Sequence, residues 1–345
     1  MNSSTFNSES VRRTAVNWLL LFGSVLAVLV AALMTVNYFY ASRPKVVEAA
    51  MERKLTAYKI FAPERFDLVA CGSSRINFGI DPESMQPFLP GLRIYNCAMF
   101  GGAVNREILD YLEYRKIDWN SGSPRIVLLE LSPRVMWSFL RMNKNYRSMI
   151  GKPPDEIRWL LNYSPERRLS FNNLFIPMDR DRWNQRRNRS RSSIPVCHVE
   201  SGWYEVVNVS EEDPDEAVPG YLHKLAEHPD KTRYDIEKSL SEILEKTREW
   251  SFRGVMVFGV EPPVDPRIRE LEAKLSHYDT ARIHELFREA GGIIIPVRGS
   301  YKATLGGSHL ASEEAKAFSR EVAQAIAAEC ARRTGRRLPP PASIR

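Results

Sequence analysis

The chain has 345 residues, of which 43% are hydrophobic and 26% are charged, so it can bury a sizeable core. These proportions exclude a disordered tail, a collagen-like repeat and a coiled coil, and four cysteines in so long a chain exclude a small disulfide-stapled scaffold. The net charge of +7 does not by itself indicate a partner, because the basic and acidic residues are concentrated in particular segments.

The first predicted element is a membrane-spanning helix. No charged residue occurs between Arg13 and Arg43, and this stretch contains an apolar run from Trp18 to Val36. At about 1.5 Å of rise per residue, the run can cross a hydrocarbon core of about 30 Å. The competing interpretation is a cleaved signal peptide, for which the apolar run is long. We therefore predict an uncleaved anchor.

The N-terminal layout follows from this span. We predict a short cytoplasmic tail over residues 1–14, a transmembrane anchor over 15–40 and a stalk helix over 41–62, whose apolar positions have helical spacing. Basic residues flank both ends of the span, so counting them leaves the orientation open. Because a single N-terminal anchor commonly delivers the domain that follows it, we expect a single-pass protein of the inner (cytoplasmic) membrane whose main domain is periplasmic or otherwise extracytoplasmic.

The rest of the chain alternates short apolar runs with helical patterns. Five nearly continuous apolar runs predict strands that are covered on both faces: Phe66–Cys71, Leu92–Cys97, Ile126–Leu131, Gly254–Val260 and Gly292–Val297. Helical patterns cover Asn105–Tyr114, Tyr234–Trp250, Pro266–Ala290 and Ser312–Arg333. This alternation predicts an α/β fold with a doubly wound, five-stranded parallel sheet, in which ligands bind beyond the carboxyl ends of the strands.

The third and fourth predicted strands are too far apart for an ordinary connection, so we predict an insertion over about residues 138–232. It contains an arginine-rich stretch, Met178–Ser193, followed by an acidic stretch, Glu200–Glu216. Because their charges nearly cancel and basic and aromatic residues are not regularly interleaved, we predict no nucleic-acid partner. The α/β domain is predicted over 63–335, and the basic, proline-rich tail over 336–345 is predicted to be disordered.

Residues suited to chemistry follow three of the predicted strands. The first strand runs into Gly72–Ser74, where a serine after a strand-to-helix turn can be an exposed nucleophile. Gly101 and Gly102 follow the second strand, and their backbone N–H groups are candidate oxyanion donors. His309 follows the fifth strand and is the candidate base. A turn serine and a structural histidine are the alternatives for each residue alone, but the three features together favour a catalytic site.

Three motifs resemble the first, second and fifth conserved blocks of the SGNH/GDSL hydrolase superfamily: FDLVACGSSRINFGID, YNCAMFGG and GGSHL, in this order. With the anchor, the layout is similar to that of exported proteins that modify cell-envelope polymers, such as those of teichoic acid D-alanyl transfer and alginate O-acetylation. The resemblance covers about residues 64–335 apart from the insertion. It implies a flavodoxin-like sheet in which Ser74 is the nucleophile and an oxyanion donor, Gly101 is a second donor and His309 is the general base.

The chain departs from the family pattern at two positions. The family has Asp three residues before the histidine, where this chain has Gly306, and Glu261 at the end of the fourth strand is our candidate replacement, with Glu130 second. The Asn of the third block, which completes the oxyanion hole in the family, is missing from LSPR after the third strand. Arg75 and Arg134 are candidate replacements, because a guanidinium is a strong hydrogen-bond donor.

Two functions are consistent with these residues. The resemblance implies a membrane-anchored serine esterase or O-acyltransferase that acts on an envelope polysaccharide or acyl ester and needs no metal or organic cofactor. For a transferase, the family layout implies a membrane-bound O-acyltransferase as the donor-side partner. The alternative is a catalytically inactive structural or glycan-binding subunit of a polysaccharide-modification complex, which the missing Asp and Asn motivate. Only an enzyme must lose acyl transfer when Ser74 is replaced by Ala.

Overall fold

A computed structural model describes residues 8–41, 55–56, 58–60, 63–99, 104–136, 194–198, 200–207, 219, 232–276, 279–303 and 306–334. Most of the predicted stalk, most of the predicted insertion and the predicted tail over 336–345 lie outside the described residues. The chain divides into two compact units. The described part of the first unit is a single helix, and the second unit contains all the other described elements.

Helix α1 spans Ser8–Ala41 and contains the predicted anchor. Its segment Ala15–Ala32 has a mean hydropathy of 2.2, and none of this segment is buried inside the structure. Helix α1 is therefore long and apolar enough to cross a membrane. A signal sequence near the N-terminus can also be this apolar, and neither length nor composition determines the orientation of the chain.

The described residues form seven strands: β1 (Leu68–Cys71), β2 (Ile94–Asn96), β3 (Ile126–Glu130), β4 (Ile194–His198), β5 (Trp203–Val207), β6 (Met256–Val260) and β7 (Ile293–Ile294). Five of them form a parallel sheet in the order β2-β1-β3-β6-β7, and β4 pairs with β5 in an antiparallel hairpin. The predicted α/β class and the predicted five-stranded parallel sheet are confirmed.

The helices that follow α1 include α2 (Ser74–Gly79), α3 (Pro82–Met85), α4 (Arg106–Arg115), α5 (Pro133–Met136), α6 (Thr232–Phe252), α7 (Pro266–Ser276), α8 (Thr280–Glu289) and α9 (Ser312–Thr334). Residues 55–56 and 58–60 are also helical. The single helical pattern predicted over Pro266–Ala290 is in fact two helices. The second begins at Thr280 because the side chain of Asp279 accepts a hydrogen bond from the backbone N–H of Arg282 and caps its first turn.

Side chains of the sheet alternate between two cores. In β1, Val69 lies in a core shared with α4, α6 and α8, whereas Leu68 and Ala70 lie in a core shared with α2 and α9. The strand order reverses between β1 and β3, since β1 leads to β2 on one side and the later strands add on the other. Ligands of open α/β sheets bind beyond the strands at this reversal. The residues that follow β1 and β3 therefore occupy the expected position of a site.

The β4–β5 hairpin is an element that our sequence analysis did not predict. It lies beside edge strand β2, where the backbone N–H of Asn96 donates to the carbonyl oxygen of Ser201 over 2.9 Å. Gly202 has φ 76°, and a Cβ atom there would lie 2.2 Å from the carbonyl oxygen of Asn96, so only glycine fits this turn. The β-branched and aromatic run WYEVV after a Ser-Gly turn was the available signal.

Candidate active site

Ser74 and His309 meet at the carboxyl edge of the sheet. Ser74 is the first residue of α2, directly after the turn that follows β1, and His309 precedes α9. The Nε2 atom of His309 lies 2.8 Å from the Oγ atom of Ser74, although 235 positions separate the two residues. The structure thus brings the predicted nucleophile and the predicted base into hydrogen-bonding contact.

A buried carboxylate holds the turn that presents Ser74. Glu130 is fully buried at the end of β3, and its Oε2 atom accepts a hydrogen bond of 2.7 Å from the backbone N–H of Ser73. The hydroxyl of Ser132 donates to the other carboxylate oxygen. A Cβ atom on Gly72 would lie 2.7 Å from Glu130 Oε2, so the missing side chain lets the turn pack directly on this carboxylate. Glu130, our second candidate for the acid, therefore positions the nucleophile turn.

The ring of His309 contacts a second hydroxyl. Its Nδ1 atom lies 3.1 Å from Ser308 Oγ. We assign the ring hydrogen to Nδ1, because Nε2 must accept the proton of Ser74 if the imidazole is to act as a base. The ring also packs against Phe78, with the ring centroids 4.6 Å apart. In this tautomer, Ser308 and Phe78 both orient the imidazole.

Glu261, our first candidate for the acid that orients His309, is paired with a different histidine. Its Oε1 atom lies 3.1 Å from Nε2 of His284, which belongs to α8. The preceding residue, Val260, packs in the core shared with α9, and successive strand residues point to opposite faces. The alternation therefore directs Glu261 toward the α8 side of the sheet, whereas His309 immediately precedes α9.

The candidate oxyanion donors have different positions. The guanidinium of Arg75 is buried and binds the carboxylate of Glu272 on α7, with Nη1 at 3.0 Å and Nη2 at 2.6 Å. Arg134 is half-buried in α5, and its donation to an oxyanion stays a prediction. Gly101 and Gly102 lie outside the described residues. Arg75 therefore holds α2 against α7 in this structure.

The β4–β5 hairpin supports the residue that packs on His309. Trp203 Nε1 donates a hydrogen bond of 2.8 Å to the backbone carbonyl of Phe78, and the rings of Phe78 and Tyr204 lie 5.0 Å apart. Because Phe78 contacts both the hairpin and the imidazole, the hairpin contributes to the geometry of the site.

Glu205 ties the same hairpin to the start of α9. One carboxylate oxygen lies 2.7 Å from Nε2 of His198, and the other accepts a hydrogen bond from Ser312. Burial acts to raise the pKa of Glu205, but the hydrogen bonds from Ser312 and His198 outweigh it and hold the pKa below its ordinary value. Glu205 is thus an ionised link between the hairpin and Ser312, which lies three residues beyond His309.

A buried lysine and a buried asparagine support the other end of α2. The Nζ atom of Lys59 donates hydrogen bonds of 2.6 Å to Asn77 Oδ1 and to the carbonyl oxygen of Ala98. Burial lowers the pKa of Lys59 to about 7. Asn96 Nδ2 donates to the carbonyl oxygens of Ile76 and Ile80, each over 2.8 Å. These contacts fix α2 against the chain that follows β2.

Comparisons with known proteins identify no relative of this chain. No protein-family model matches the chain, and no curated protein or solved structure matches it. The site and the sequence motifs are therefore the basis for assigning a function.

Proposed function

We propose that the protein is a membrane-associated serine esterase or O-acyltransferase of the SGNH type, in which Ser74 is the nucleophile and His309 the general base. The observation that carries this proposal is the 2.8 Å contact between Ser74 Oγ and His309 Nε2 at the carboxyl edge of a parallel sheet. A serine within hydrogen-bonding distance of an oriented imidazole is the arrangement needed for nucleophilic acyl transfer.

The reaction proceeds in two acyl transfers. His309 Nε2 takes the hydroxyl proton of Ser74 as Oγ bonds to the carbonyl carbon of an acyl ester, and the resulting tetrahedral intermediate carries the negative charge on the former carbonyl oxygen. The ester C–O bond then breaks, and the imidazolium returns the proton to the leaving alcohol. A water molecule or a sugar hydroxyl next attacks the acyl-serine while His309 accepts its proton, and the proton finally returns to Ser74 Oγ as the acyl group departs.

The substrate class rests on the family resemblance and on helix α1. Exported members of the resembled family modify envelope polysaccharides, and α1 is long and apolar enough to hold the chain at a membrane. An acyl-polysaccharide is therefore the proposed substrate or product, with the domain on the extracytoplasmic side of the inner membrane. A membrane-bound O-acyltransferase is the proposed donor-side partner.

The test uses the full chain in detergent micelles and a fluorophosphonate probe that reacts with activated serines. Wild-type protein is expected to be labelled and to hydrolyse p-nitrophenyl acetate. Ser74→Ala is expected to lose both activities, and His309→Ala is expected to lower the labelling rate by about 10²–10⁴-fold, the usual contribution of a general base.

His284→Ala is the matched control, because His284 is paired with Glu261. It should leave labelling unchanged, as should Glu261→Gln. A folded wild type that is neither labelled nor active contradicts the proposal and favours the inactive, glycan-binding alternative, which binding to acylated and deacylated envelope polysaccharides would then test.

A further inference from the structure

The side-chain amide of Asn77 is satisfied at its oxygen and not at its nitrogen. Oδ1 accepts a hydrogen bond of 2.6 Å from Lys59 Nζ, whereas the buried Nδ2 atom has no hydrogen-bond partner in the part of the chain that the structure describes. The residue is only 1% exposed, so this donor does not lie at the protein surface. A buried donor without an acceptor destabilises the folded protein. Such a group is explained if a bound ligand provides the acceptor.

Lys59 determines which atom of the Asn77 side-chain amide is left without a hydrogen-bond partner. Nζ donates to the amide oxygen, and in its protonated form it has three N–H donors and no acceptor, so it faces the oxygen of the amide and not the nitrogen. The same Nζ atom also donates to the carbonyl oxygen of Ala98 over 2.6 Å, and Lys59 is 1% exposed. With Nζ held at two points, rotation of the amide by half a turn would break the hydrogen bond to Oδ1 and place an N–H group of Asn77 against the protonated Nζ. Nδ2 is therefore directed away from Lys59.

The amide lies on the face of α2 that carries the reacting pair. Ser74, Asn77 and Phe78 are related by three and four positions, which places them on one side of a helix. Ser74 and Phe78 both contact His309, so this side faces the imidazole. Helical side chains lean toward the N-terminus of their helix, which brings the amide of Asn77 over the turn that begins with Ser74.

We propose that Asn77 Nδ2 is a side-chain oxyanion donor for the acyl group attacked by Ser74, and that Lys59 is the positioning residue that directs it there. This inference rests on the proposed function. The carbonyl oxygen becomes negatively charged as Ser74 Oγ bonds to the carbon, and a donor that is already buried and oriented stabilises that charge without reorganising. The oxyanion, in turn, is the acceptor that Nδ2 lacks before the reaction.

The test replaces the donor while keeping the shape of the side chain. In Asn77→Asp, one carboxylate oxygen still accepts from Lys59 and the other replaces Nδ2. For the full chain in detergent, we expect kcat for p-nitrophenyl acetate and the rate of fluorophosphonate labelling to fall about 10²–10³-fold, the usual effect of losing one oxyanion donor. KM should change less than about threefold, because the donor acts on the charge of the transition state.

Two further variants separate the roles. Asn77→Ala removes the donor without adding a charge and should lower kcat over the same range. Lys59→Met leaves Asn77 in place but frees its amide to rotate, so kcat should fall less than in the Asn77 variants, again with little change in KM. Asn105→Asp is the matched control: Asn105 caps α4 by accepting a hydrogen bond from the backbone N–H of Ile108, which aspartate also accepts, so its kinetics should match the wild type.

The outcomes distinguish this inference from the proposed function. If wild-type labelling depends on Ser74 and a folded Asn77→Asp or Asn77→Ala variant is labelled at the wild-type rate, the inference is overturned while the proposed function stands. If folded wild type is never labelled, the proposed function fails and this inference fails with it. Thermal unfolding of each variant shows that it is folded, and Asn77→Ala decides the question if Asn77→Asp does not fold.

Discussion

The guanidinium of Arg75 and the carboxylate of Glu272 form a two-point ion pair, with Nη1–Oε2 at 3.0 Å and Nη2–Oε1 at 2.6 Å. Both side chains are 1% exposed, and the pair joins two helices across 197 positions of the chain. Because Arg75 follows Ser74 directly, this pair connects the nucleophile helix α2 to α7. A buried pair of this kind is costly to break, since the remaining charge is left without its partner in a low-dielectric interior.

Glu272→Gln is expected to lower the free energy of unfolding by about 3–5 kcal/mol, because it leaves the buried guanidinium of Arg75 without its carboxylate. Denaturant unfolding of the full chain in detergent, followed by tryptophan fluorescence, measures this loss. The double variant Arg75→Met, Glu272→Leu should recover most of the stability, since it removes both charges and keeps apolar volume. A double variant no more stable than Glu272→Gln would contradict this explanation.

Gly72→Ala is expected to destabilise the nucleophile turn by about 1–3 kcal/mol, as overpacking of a close contact does. The added Cβ would lie 2.6 Å from Ile76 Cγ1 and 2.7 Å from Glu130 Oε2. Because Ser74 is two residues further along, labelling of Ser74 should slow as well. Gly122→Ala is the control, since nothing lies within 4 Å of the added Cβ there. Equal thermal stability of the two variants would argue against a tight turn at Gly72.

Trp203→Phe tests whether the hairpin supports the site. The variant keeps an aromatic ring but removes the hydrogen bond to the Phe78 carbonyl, at a cost of about 1 kcal/mol. Trp119→Phe removes a similar bond of 2.9 Å, from Nε1 to the carbonyl of Glu113, and is the matched control. Both should lose similar stability in denaturant unfolding. Only Trp203→Phe should slow labelling of Ser74, because Phe78 contacts His309.

Lys59 is expected to make stability increase with pH above neutrality. Its pKa is lowered to about 7 in the folded protein, against 10.5 for an ordinary lysine, so between these values the unfolded chain binds more protons. Stability therefore rises from about pH 7 upward, by at most about 1.4 kcal/mol per pH unit, and this contribution is lost as pH falls through 7.

The measurement is the difference in unfolding free energy between wild type and Lys59→Met from pH 6 to pH 8.5. Burial raises the pKa of Cys71, and it raises the pKa of Cys97 to about 11, so both thiols stay protonated in the folded protein over this range. These thiols are present in both proteins, and taking the difference cancels their contribution. A difference that does not change between pH 7 and pH 8.5 would show that Lys59 is not held in a desolvating site.

Much of the fold was predictable because its signals are local. The five apolar runs predicted the five strands of the parallel sheet, since strands covered on both faces must be apolar on both. Ser74 and His309 were predictable as a pair for a related reason: the carboxyl ends of parallel strands meet at one edge of the sheet, so residues that follow different strands come together there.

The contacts between elements were not predictable in this way. Glu261 was expected beside His309 from the order of the strands, but the face on which it emerges from β6 places it against His284. The hairpin lies in the segment that we predicted to be an insertion, where the charged stretches around it make its short strand signal hard to recognise. Lys59 showed no sign of burial, because an isolated lysine in a helical pattern ordinarily reaches solvent.

The sequence by itself determined the class of sheet, the candidate membrane helix and the pair of residues at the strand ends, because periodicity, apolar length and position after a strand are properties of neighbouring residues. Only the tertiary structure decided the partners of Glu261 and Arg75, the two contacts of Lys59 and the unmatched nitrogen of Asn77. Hydrogen bonds and ion pairs depend on distances and directions between side chains that are remote in the chain, and these exist only once the helices have packed on the sheet.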